Sequence, residues 1–328
     1  MLDSLKTNFL NPSSFWPLRK RQLLELSRYA YEPVLGTTMD LVIWSAEEVN
    51  ETILERVLEE IKRLEKIYSC FDTKSELNTW LASPEASYHA SYELSLLMEK
   101  ALDWVAKTQG VFHPGVQALM TLWQAAEQQD KVPERSELDD CVTKLQLEFC
   151  HLDSSSRMLS KLSPLKLNFN ALAKGLIVDF AAQIALDQGN VEAVLLNIGG
   201  DLKHISRKSE PKATLIEVET GLARARLTLG ITNQAVASSG SPYRGFKVKD
   251  NWYSHIIDPR TGWPVDTRVS ATVIAPDCQT ADVLATVFSI LKPEESMALA
   301  NSLEGVGCHL LLATGEVRSN PFFDQHRC

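Results

Sequence analysis

Two short segments near the C-terminal end of the sequence combine residue types that can do chemistry. Residues 254–262 have the sequence Ser-His-Ile-Ile-Asp-Pro-Arg-Thr-Gly, in which His255 stands beside a turn. Because histidine titrates near neutral pH, His255 could act there as a general base. The second segment places Asp282 and Thr286 four residues apart within helical apolar spacing, so both lie on one helix face. Carboxylate and hydroxyl oxygens suit Mg²⁺ and the phosphates it binds, and the two segments together indicate phosphate chemistry.

Each of these residues also has a purely structural interpretation. Asp282 could be an aspartate that the helix dipole favours, and Thr286 a tolerated hydroxyl on the same helix. A lone histidine after a strand is more often a structural side chain than a catalyst. The Asp258-Pro259 turn starter beside His255 and the nearby Asp282 favour the catalytic and metal-binding interpretation.

Three further segments could contact a ligand. Gly199 and Gly200 follow a predicted strand that ends at Asn197, and glycines there let backbone N–H groups approach a phosphate or a ring. Ser239 ends another predicted strand, and Lys174 stands at a helix start where a phosphate could bind. Tight turns and a solvated lysine explain these features equally well. The glycine pair is not a dinucleotide-binding motif, because the third glycine and the following helix are absent.

Composition excludes several classes of protein. A chain of 328 residues suffices for one large domain or two modest ones, and its net charge of -9 disfavours nucleic acid as a partner. No apolar run approaches the length of about 18 residues that a transmembrane helix requires. The six cysteines are scattered, which predicts neither a disulfide framework nor a zinc site. The N-terminus lacks the pattern of a secretory signal, so we expect a cytoplasmic protein, or a periplasmic one if an export signal has been removed.

Hydrophobic periodicity predicts helices and strands throughout the chain. Residues 1–33 are expected to form an irregular or short helical lead-in, and the polar residues 124–145 a surface excursion. Asn50 would cap the first long helix and Gly189 would end a later one. No linker divides the chain, so we expect one intertwined α+β unit. The predicted helices cover 50–68, 91–108, a segment reaching Trp123, and 172–188, and the predicted strands cover 36–44, 191–197, 213–219, 224–230, 245–256, 269–275 and 307–313.

The order of these segments resembles that of the ApbE family of FAD:protein FMN transferases, from about residue 34 to 315. The two segments around His255 and Asp282 are the most specific. The resemblance implies a single ApbE-like (T-fold-type) unit of mixed sheets with packed helices over 34–328, after the lead-in of 1–33. The matching segments are Leu35 to Thr38, Ser69 to Glu76, Phe112 to Val116, Leu119 to Trp123, Ala173 to Asp179, Asn197 to Gly200, Ser239-Gly240, His255 to Gly262 and Ala281 to Thr286.

The resemblance also implies an activity and a set of site residues. It implies a Mg²⁺-dependent enzyme that transfers FMN from FAD to a threonine or serine hydroxyl of an acceptor flavoprotein and releases AMP. His255 would be the base, and Mg²⁺ would be held by Asp282, Thr286 and the backbone carbonyl of Ala171. The ring of Phe71 would pack on the flavin nucleotide. The remaining residues expected to line the FAD site are Thr37, Lys174, Asn197, Gly199, Gly200 and Ser239.

Three residues depart from the family pattern. Asn170 adds a side chain where the backbone approaches the metal or the phosphates, which would lower affinity, and His113 and Gly115 replace an aspartate and a threonine. Two alternatives therefore stay open. One is an FAD pyrophosphatase that yields FMN and AMP with water as the acceptor. The other is a non-catalytic flavin-binding protein, against which the intact His255, Asp282 and Thr286 argue.

Overall fold

An antiparallel sheet of eight strands forms the centre of the molecule in the computed structural model. The structure describes residues 8–9, 24–47, 51–208, 212–220, 225–240, 244–265 and 270–328. Every neighbouring pair of strands in this sheet is antiparallel. From one edge to the other, the strands are β16 (Val317–Ser319), β15 (Gly307–Leu311), β14 (Ser270–Ala275), β11 (Ala235–Ser239), β8 (Asp201–Ser206), β7 (Val191–Ile198), β3 (Thr37–Ser45) and β2 (Glu25–Val34).

Three smaller sheets complete the β structure of the described residues. The first consists of β1 (Asn8–Phe9), β9 (Thr214–Thr220) and β10 (Ala225–Ile231). The second consists of β4 (Tyr88–His89), β6 (Met158–Lys161) and β5 (Cys150–Asp153). The third is a hairpin of β12 (Gly245–Val248) and β13 (Asn251–Ser254), and His255 directly follows it.

The helices lie mainly before and after the strands of the central sheet. A short 3₁₀ helix, Pro114–Val116, precedes α4. No helix in the described part of the chain is long and apolar enough to cross a membrane. The α-helices are α1 (Thr52–Tyr68), α2 (Glu76–Ala82), α3 (Tyr92–Lys107), α4 (Gln117–Gln129), α5 (Arg135–Leu145), α6 (Asn170–Leu186), α7 (Cys278–Phe288), α8 (Pro293–Ser302) and α9 (Pro321–Asp324).

Both faces of the central sheet are covered by apolar layers. Successive side chains of a strand point to opposite faces, so Leu41 and Ile43 of β3 pack on the α1, α6 and α7 side. Val42, between them, packs on the opposite side with Ile216 and Leu229 of the β9–β10 sheet. A separate cluster, centred on Trp123, joins α4 and α5 to the β12–β13 hairpin. The α+β class predicted from the sequence is confirmed.

Several predicted elements are also confirmed. Helices α1 and α3 and strands β3, β7, β9, β10, β14 and β15 fall within two residues of their predicted bounds. The segment around Asp282 is helical, as its apolar spacing predicts. Asn50 lies outside the described residues, and Glu51 is the residue before α1.

Other predicted elements are wrong. The lead-in of residues 1–33 was expected to be irregular or helical, but β2 (Glu25–Val34) covers its end. This strand is an exposed edge strand that pairs with β3. Residues 124–145 are not an excursion: α4 continues to Gln129, and α5 buries Leu138 and Leu145. The strand predicted over 245–256 is a hairpin, since Lys249 turns the chain with a φ of 54°. Helix α6 ends at Leu186, before Gly189. The division of the chain at residue 34 stays a prediction.

Candidate active site

Helices α6 and α7 approach each other unusually closely beside the central sheet. The contact point on α6 is Gly175, where a Cβ atom would lie 2.5 Å from the Cα of Gln279 and 2.6 Å from the carbonyl oxygen of Cys278. Atoms cannot come so close, so only glycine allows this packing. The approach places Lys174, the neighbour of Gly175, beside Asp282 on α7.

Lys174, Asp201 and Asp282 form one group of charges at this contact. The Lys174 Nζ atom lies 2.6 Å from Asp201 Oδ2, and Asp201 is almost completely buried at the start of β8. The Asp282 Oδ2 atom is also buried, and the Asp282 carboxyl lies beside the Asp201 carboxyl and the Gly175 N–H. Thr286 lies one turn further along the same face of α7, and Ala171 lies in the first turn of α6.

The electrostatics of the group follow from burial and from the proximity of two carboxyls. Burial and the negative charge of Asp201 raise the pKa of Asp282 well above its usual range. Burial also raises the pKa of Asp201, although the Lys174 ammonium acts in the opposite direction. Burial favours a lower pKa for Lys174, but the charges of Asp201 and Asp282 outweigh it and hold that pKa above its usual value. Lys174 is therefore a cation, and the carboxyl pair is short of positive charge.

The acidic residue of α6, Asp179, holds the N-terminus of α7. The carboxylate of Asp179 accepts hydrogen bonds from the backbone N–H groups of Cys278, at 2.8 Å, and Gln279, at 3.0 Å. Lys203 Nζ lies 3.8 Å from Asp179. Burial raises the pKa of Asp179 to about 6, while the charge of Lys203 opposes this shift. Asp179 thus fixes the start of the helix on which Asp282 and Thr286 lie.

The glycine pair forms a turn that is built from its own surroundings. Gly199 has a φ of 59°, and a Cβ atom on it would lie 2.6 Å from the Thr37 methyl group. The side-chain oxygen of Asn197 accepts a 3.0 Å hydrogen bond from the Gly200 N–H, so Asn197 shapes the turn. Strand pairing places Thr37, this turn and the Ser239 end of β11 at the same end of the central sheet.

Phe71 presents an exposed ring on a tightly bonded loop. Its side chain is 78% exposed, while the Ser69 hydroxyl accepts hydrogen bonds from the backbone N–H groups of Phe71 and Asp72. The Cys70 thiol donates to Asn170 Oδ1 over 3.6 Å, which joins this loop to the start of α6. Asn170, one of the three departures, therefore has a local partner next to Phe71.

His255 has one ring nitrogen held by the backbone and the other left for chemistry. Its Nδ1 atom lies 2.9 Å from the carbonyl oxygen of Arg244, the residue paired with it across the hairpin. A carbonyl only accepts, so Nδ1 bears the hydrogen and Nε2 is the proton acceptor. Burial lowers the pKa of His255 below 6.5, although the bond to the Arg244 carbonyl opposes this shift. His255 is thus neutral near pH 7.

The other two departures from the family pattern form a buried structural unit. The Nδ1 atom of His113 accepts a 2.9 Å hydrogen bond from the Gly115 N–H and caps the 3₁₀ helix. A Cβ atom on Gly115 would lie 2.5 Å from the Leu145 side chain and 3.0 Å from the His113 ring. The imidazole and the glycine fit together here, and neither belongs to the charged group on α6 and α7.

The predicted residues fall into separate groups of contacts. Lys174 and Asp282 come together, as do Thr37, Asn197 and Gly199, but within the described residues no hydrogen bond or ion pair joins His255 to either group. No cluster of three or more His, Cys, Asp or Glu side chains that could hold a metal occurs in that part of the chain. The sequence did not assign a role to Asp201 or to Asp179, which binds the first N–H groups of α7. Asp201 ends the Asn-Ile-Gly-Gly-Asp segment, and Asp179 ends the segment that begins with Ala-Lys-Gly. These positions were the sequence signal that could have indicated both residues.

The half-buried Lys174 and the carboxyls of Asp201 and Asp282 form a charged group between α6, α7 and β8 of an α+β fold, at the sheet end that carries the glycine turn. The sequence model of the ApbE family matches residues 35–310, and the chain belongs to this family.

Curated relatives and solved structures agree with this assignment. The FAD:protein FMN transferase of Vibrio cholerae is 30% identical over 283 residues, which are 82% of this chain and 83% of that protein. The enzyme of the same name from Treponema pallidum is 27% identical over 311 residues, covering 88% of this chain and 85% of the relative. The structure of the ApbE protein of Thermotoga maritima superimposes with a TM-score of 0.80 at 27% identity, covering 93% of this chain and 100% of that one.

Proposed function

We propose that this chain transfers FMN from FAD to a threonine or serine hydroxyl of an acceptor flavoprotein, with Mg²⁺, and releases AMP. Its curated relatives are named FAD:protein FMN transferases, and the chain is a transferase of this flavin-transfer class. The single observation that best supports the finer proposal is the pair of adjacent carboxyls, Asp201 and Asp282, beside the Lys174 cation. Such a group suits a metal ion and a pyrophosphate together.

The residues around Asp282 fit a hard divalent cation. Two neighbouring buried carboxyls raise each other's energy when both are ionised, and a cation would relieve this cost in place of a proton. We propose that Asp282, Thr286 and the Ala171 carbonyl hold Mg²⁺, since all three offer oxygen atoms. When bound, Mg²⁺ supplies positive charge that neutralises the phosphate oxygens. Asp201 would stay paired with Lys174 and balance its charge.

FAD would lie between the sheet end and the Phe71 loop. The exposed ring of Phe71 offers a face for stacking on the flavin nucleotide. Because the ring is not part of the core, it can stack without a rearrangement of core packing. The turn at Gly199 and Gly200 presents backbone where a side chain would otherwise block a phosphate. Thr37, Asn197 and Ser239 border the same sheet end, and Lys174 would contact a phosphate oxygen.

In the proposed reaction, His255 Nε2 removes the proton of the acceptor hydroxyl. The hydroxyl oxygen forms a bond to the phosphorus of the FMN half of FAD. The bond from that phosphorus to the bridging oxygen breaks, and AMP leaves with the bridging oxygen and the electron pair. His255 needs to be neutral to take the proton, and the lowered pKa of its ring meets this need. Positioning of the two reactants would supply most of the rate.

The test is incubation of the protein with FAD, Mg²⁺ and an acceptor flavoprotein, followed by mass spectrometry of the protein and the nucleotides. FMN attached to the acceptor together with one AMP per attachment would support transfer. FMN and AMP without a labelled acceptor would favour the pyrophosphatase. Bound FAD that is never cleaved would favour a non-catalytic flavin-binding protein. The cytoplasmic location expected from the sequence stays a prediction.

A further inference from the structure

The hairpin that leads to His255 is hydrogen-bonded along its outer edge to two acidic residues, Glu127 in the last turn of α4 and Asp130 directly after that helix. The backbone N–H of Lys247 donates to Glu127 Oε1 over 2.7 Å, and the N–H of Lys249 donates to Asp130 Oδ1 over 2.5 Å. Lys247 lies in β12 and Lys249 in the turn that follows it, and both N–H groups face the C-terminal end of α4. The two hydrogen bonds are charge-assisted, which makes them stronger than bonds between neutral groups.

The opposite edge of β12 holds the ring of His255. Gly245 pairs with Ser254 in the hairpin, and the next pair outward is Arg244 with His255. The Arg244 carbonyl, at the start of β12, accepts the Nδ1–H of His255. A shift of β12 relative to α4 would therefore move this carbonyl and turn the imidazole.

Apolar packing fixes the rest of the same unit. The ring centroid of Trp123, on α4, lies 4.8 Å from that of Tyr253 and 5.4 Å from that of Trp263. The Trp123 Nε1–H donates to the Gly262 carbonyl oxygen over 3.0 Å. Trp123 thus packs against the hairpin and binds the turn that follows it. It makes no hydrogen bond to β12, so it does not stop that strand from sliding along its own axis. In the described part of the chain, the hydrogen bonds that tie the β12 segment to the C-terminal end of α4 are those of Glu127 and Asp130.

We infer that Glu127 and Asp130 are positioning residues for His255. This inference rests on the proposed function, in which His255 is the base. Through the backbone of β12 and the Arg244 carbonyl, the two carboxylates set the direction in which Nε2 faces the acceptor hydroxyl. Their observed hydrogen bonds are to the hairpin backbone, so they would act through His255 and not on the reacting atoms themselves.

The test compares two double variants. Glu127→Ala with Asp130→Gly removes both acceptors, and glycine suits the left-handed φ of 51° at residue 130. Glu127→Gln with Asp130→Asn removes the same two charges but keeps both acceptor oxygens, and asparagine tolerates this φ. The measurements are FMN transfer at saturating FAD, FAD affinity, and hydrogen exchange of the Lys247 and Lys249 amides.

We expect the Ala/Gly pair to lower the transfer rate between about 10- and 100-fold, because misplaced catalytic groups cost rate and not ground-state binding. FAD affinity should change less than about twofold, and both amides should exchange faster. The Gln/Asn pair should recover most of the rate. In a His255→Ala background, the Ala/Gly pair should change the residual rate by less than about twofold, because the group to be positioned is gone.

Three results would overturn the inference. The first is an unchanged transfer rate although the two amides exchange faster. The second is an equal loss of rate with and without His255, which would mean a general structural effect. The third is exchange of both amides at the parent rate, which would mean that the bonds do not restrain β12. A His255→Ala variant with the parent rate would instead contradict the base in the proposed function, and it is detected separately in the same series.

Discussion

Gly175 of α6 lies directly against Gln279 of α7, at a distance that leaves no room for a Cβ atom between them. This contact explains how Lys174 and Asp282, more than a hundred residues apart in the sequence, come to share one charged group. It also explains the Ala-Lys-Gly order at the start of α6. Lys174 supplies the positive charge of the group, and Gly175 lets α7 come close enough to bring Asp282 beside it.

Replacing Gly175 with alanine should force the two helices apart. We expect Gly175→Ala to lower the free energy of unfolding by about 1–3 kcal/mol, the usual cost of overpacking, and to weaken FAD binding. Gly189→Ala is the matched control, because a Cβ atom there meets nothing within 4 Å. Urea unfolding and FAD titration measure both effects. A Gly175→Ala protein with parent stability and affinity would show that the close approach is not required.

The exposed ring of Phe71 provides a test of the flavin site that does not disturb the core. We expect Phe71→Ala to leave stability within about 0.5 kcal/mol, because the side chain is 78% exposed. FAD affinity should fall between about 2- and 10-fold, as expected for loss of one stacked ring. Tyr92→Ala, at a ring that is 60% exposed on α3, is the control. Calorimetry should show FAD bound and NAD ignored, and the opposite preference would contradict the FAD site.

The charged group predicts a dependence on Mg²⁺. In the parent protein, Mg²⁺ should raise the melting temperature, because a ligand that binds only the native state stabilises it. Asp282→Asn should abolish both this shift and product formation while the protein still folds, since asparagine has nearly the same shape and removes a carboxyl whose charged form burial disfavours. Asp140→Asn removes an exposed carboxylate of α5 and should behave as the parent. Full activity of Asp282→Asn in EDTA-treated buffer would refute the metal role.

The sequence predicts best those helices and strands in which hydrophobic residues recur with a clear period. The apolar stripe of α1 and the alternation of Met39, Leu41 and Ile43 in β3 reflect burial on one face, which a sequence records directly. Strand β2 lacks this signal, because most of its side chains are exposed and its hydrogen bonds depend on β3. The turn at Lys249 lacks it too, since lysine gives no local sign of a positive φ.

The site shows the same division between local and tertiary information. The helix face shared by Asp282 and Thr286 follows from their spacing alone. The role of Asp201 does not, because it depends on the contact with Lys174 that only the packed α6 provides. Likewise, the loss of an aspartate and a threonine at His113 and Gly115 looked like a defect, whereas the two residues complement each other in space.

His113 predicts a specific loss of stability in acid. Burial lowers its pKa from 6.5 to about 4, so between these pH values the unfolded chain binds the proton that the native ring refuses. The free energy of unfolding should therefore fall as the pH drops from 6.5 to 4, by up to about 3 kcal/mol for this residue. His113→Asn keeps an acceptor for the Gly115 N–H but cannot titrate there.

Denaturant unfolding at several pH values measures this slope. The slope should be shallower in His113→Asn than in the parent, and His151→Asn, at an exposed position of β5, should keep the parent slope. Equal slopes in all three proteins would mean that the pKa of His113 does not differ between the native and unfolded states.

His255 predicts how the transfer rate depends on pH. The neutral ring is the active form and burial lowers its pKa, so the rate should rise with pH through a value below 6.5 and then level off. His255→Ala should keep FAD affinity within about threefold, because the ring is assigned to the hydroxyl and not to FAD, and should cut transfer by about 10²–10⁴-fold and remove the rise. The measurement is FMN attached to the acceptor at each pH, with AMP followed in parallel. If His255→Ala loses FAD binding and the bound fraction still turns over at the parent rate, His255 is a binding residue, and another group must take the proton.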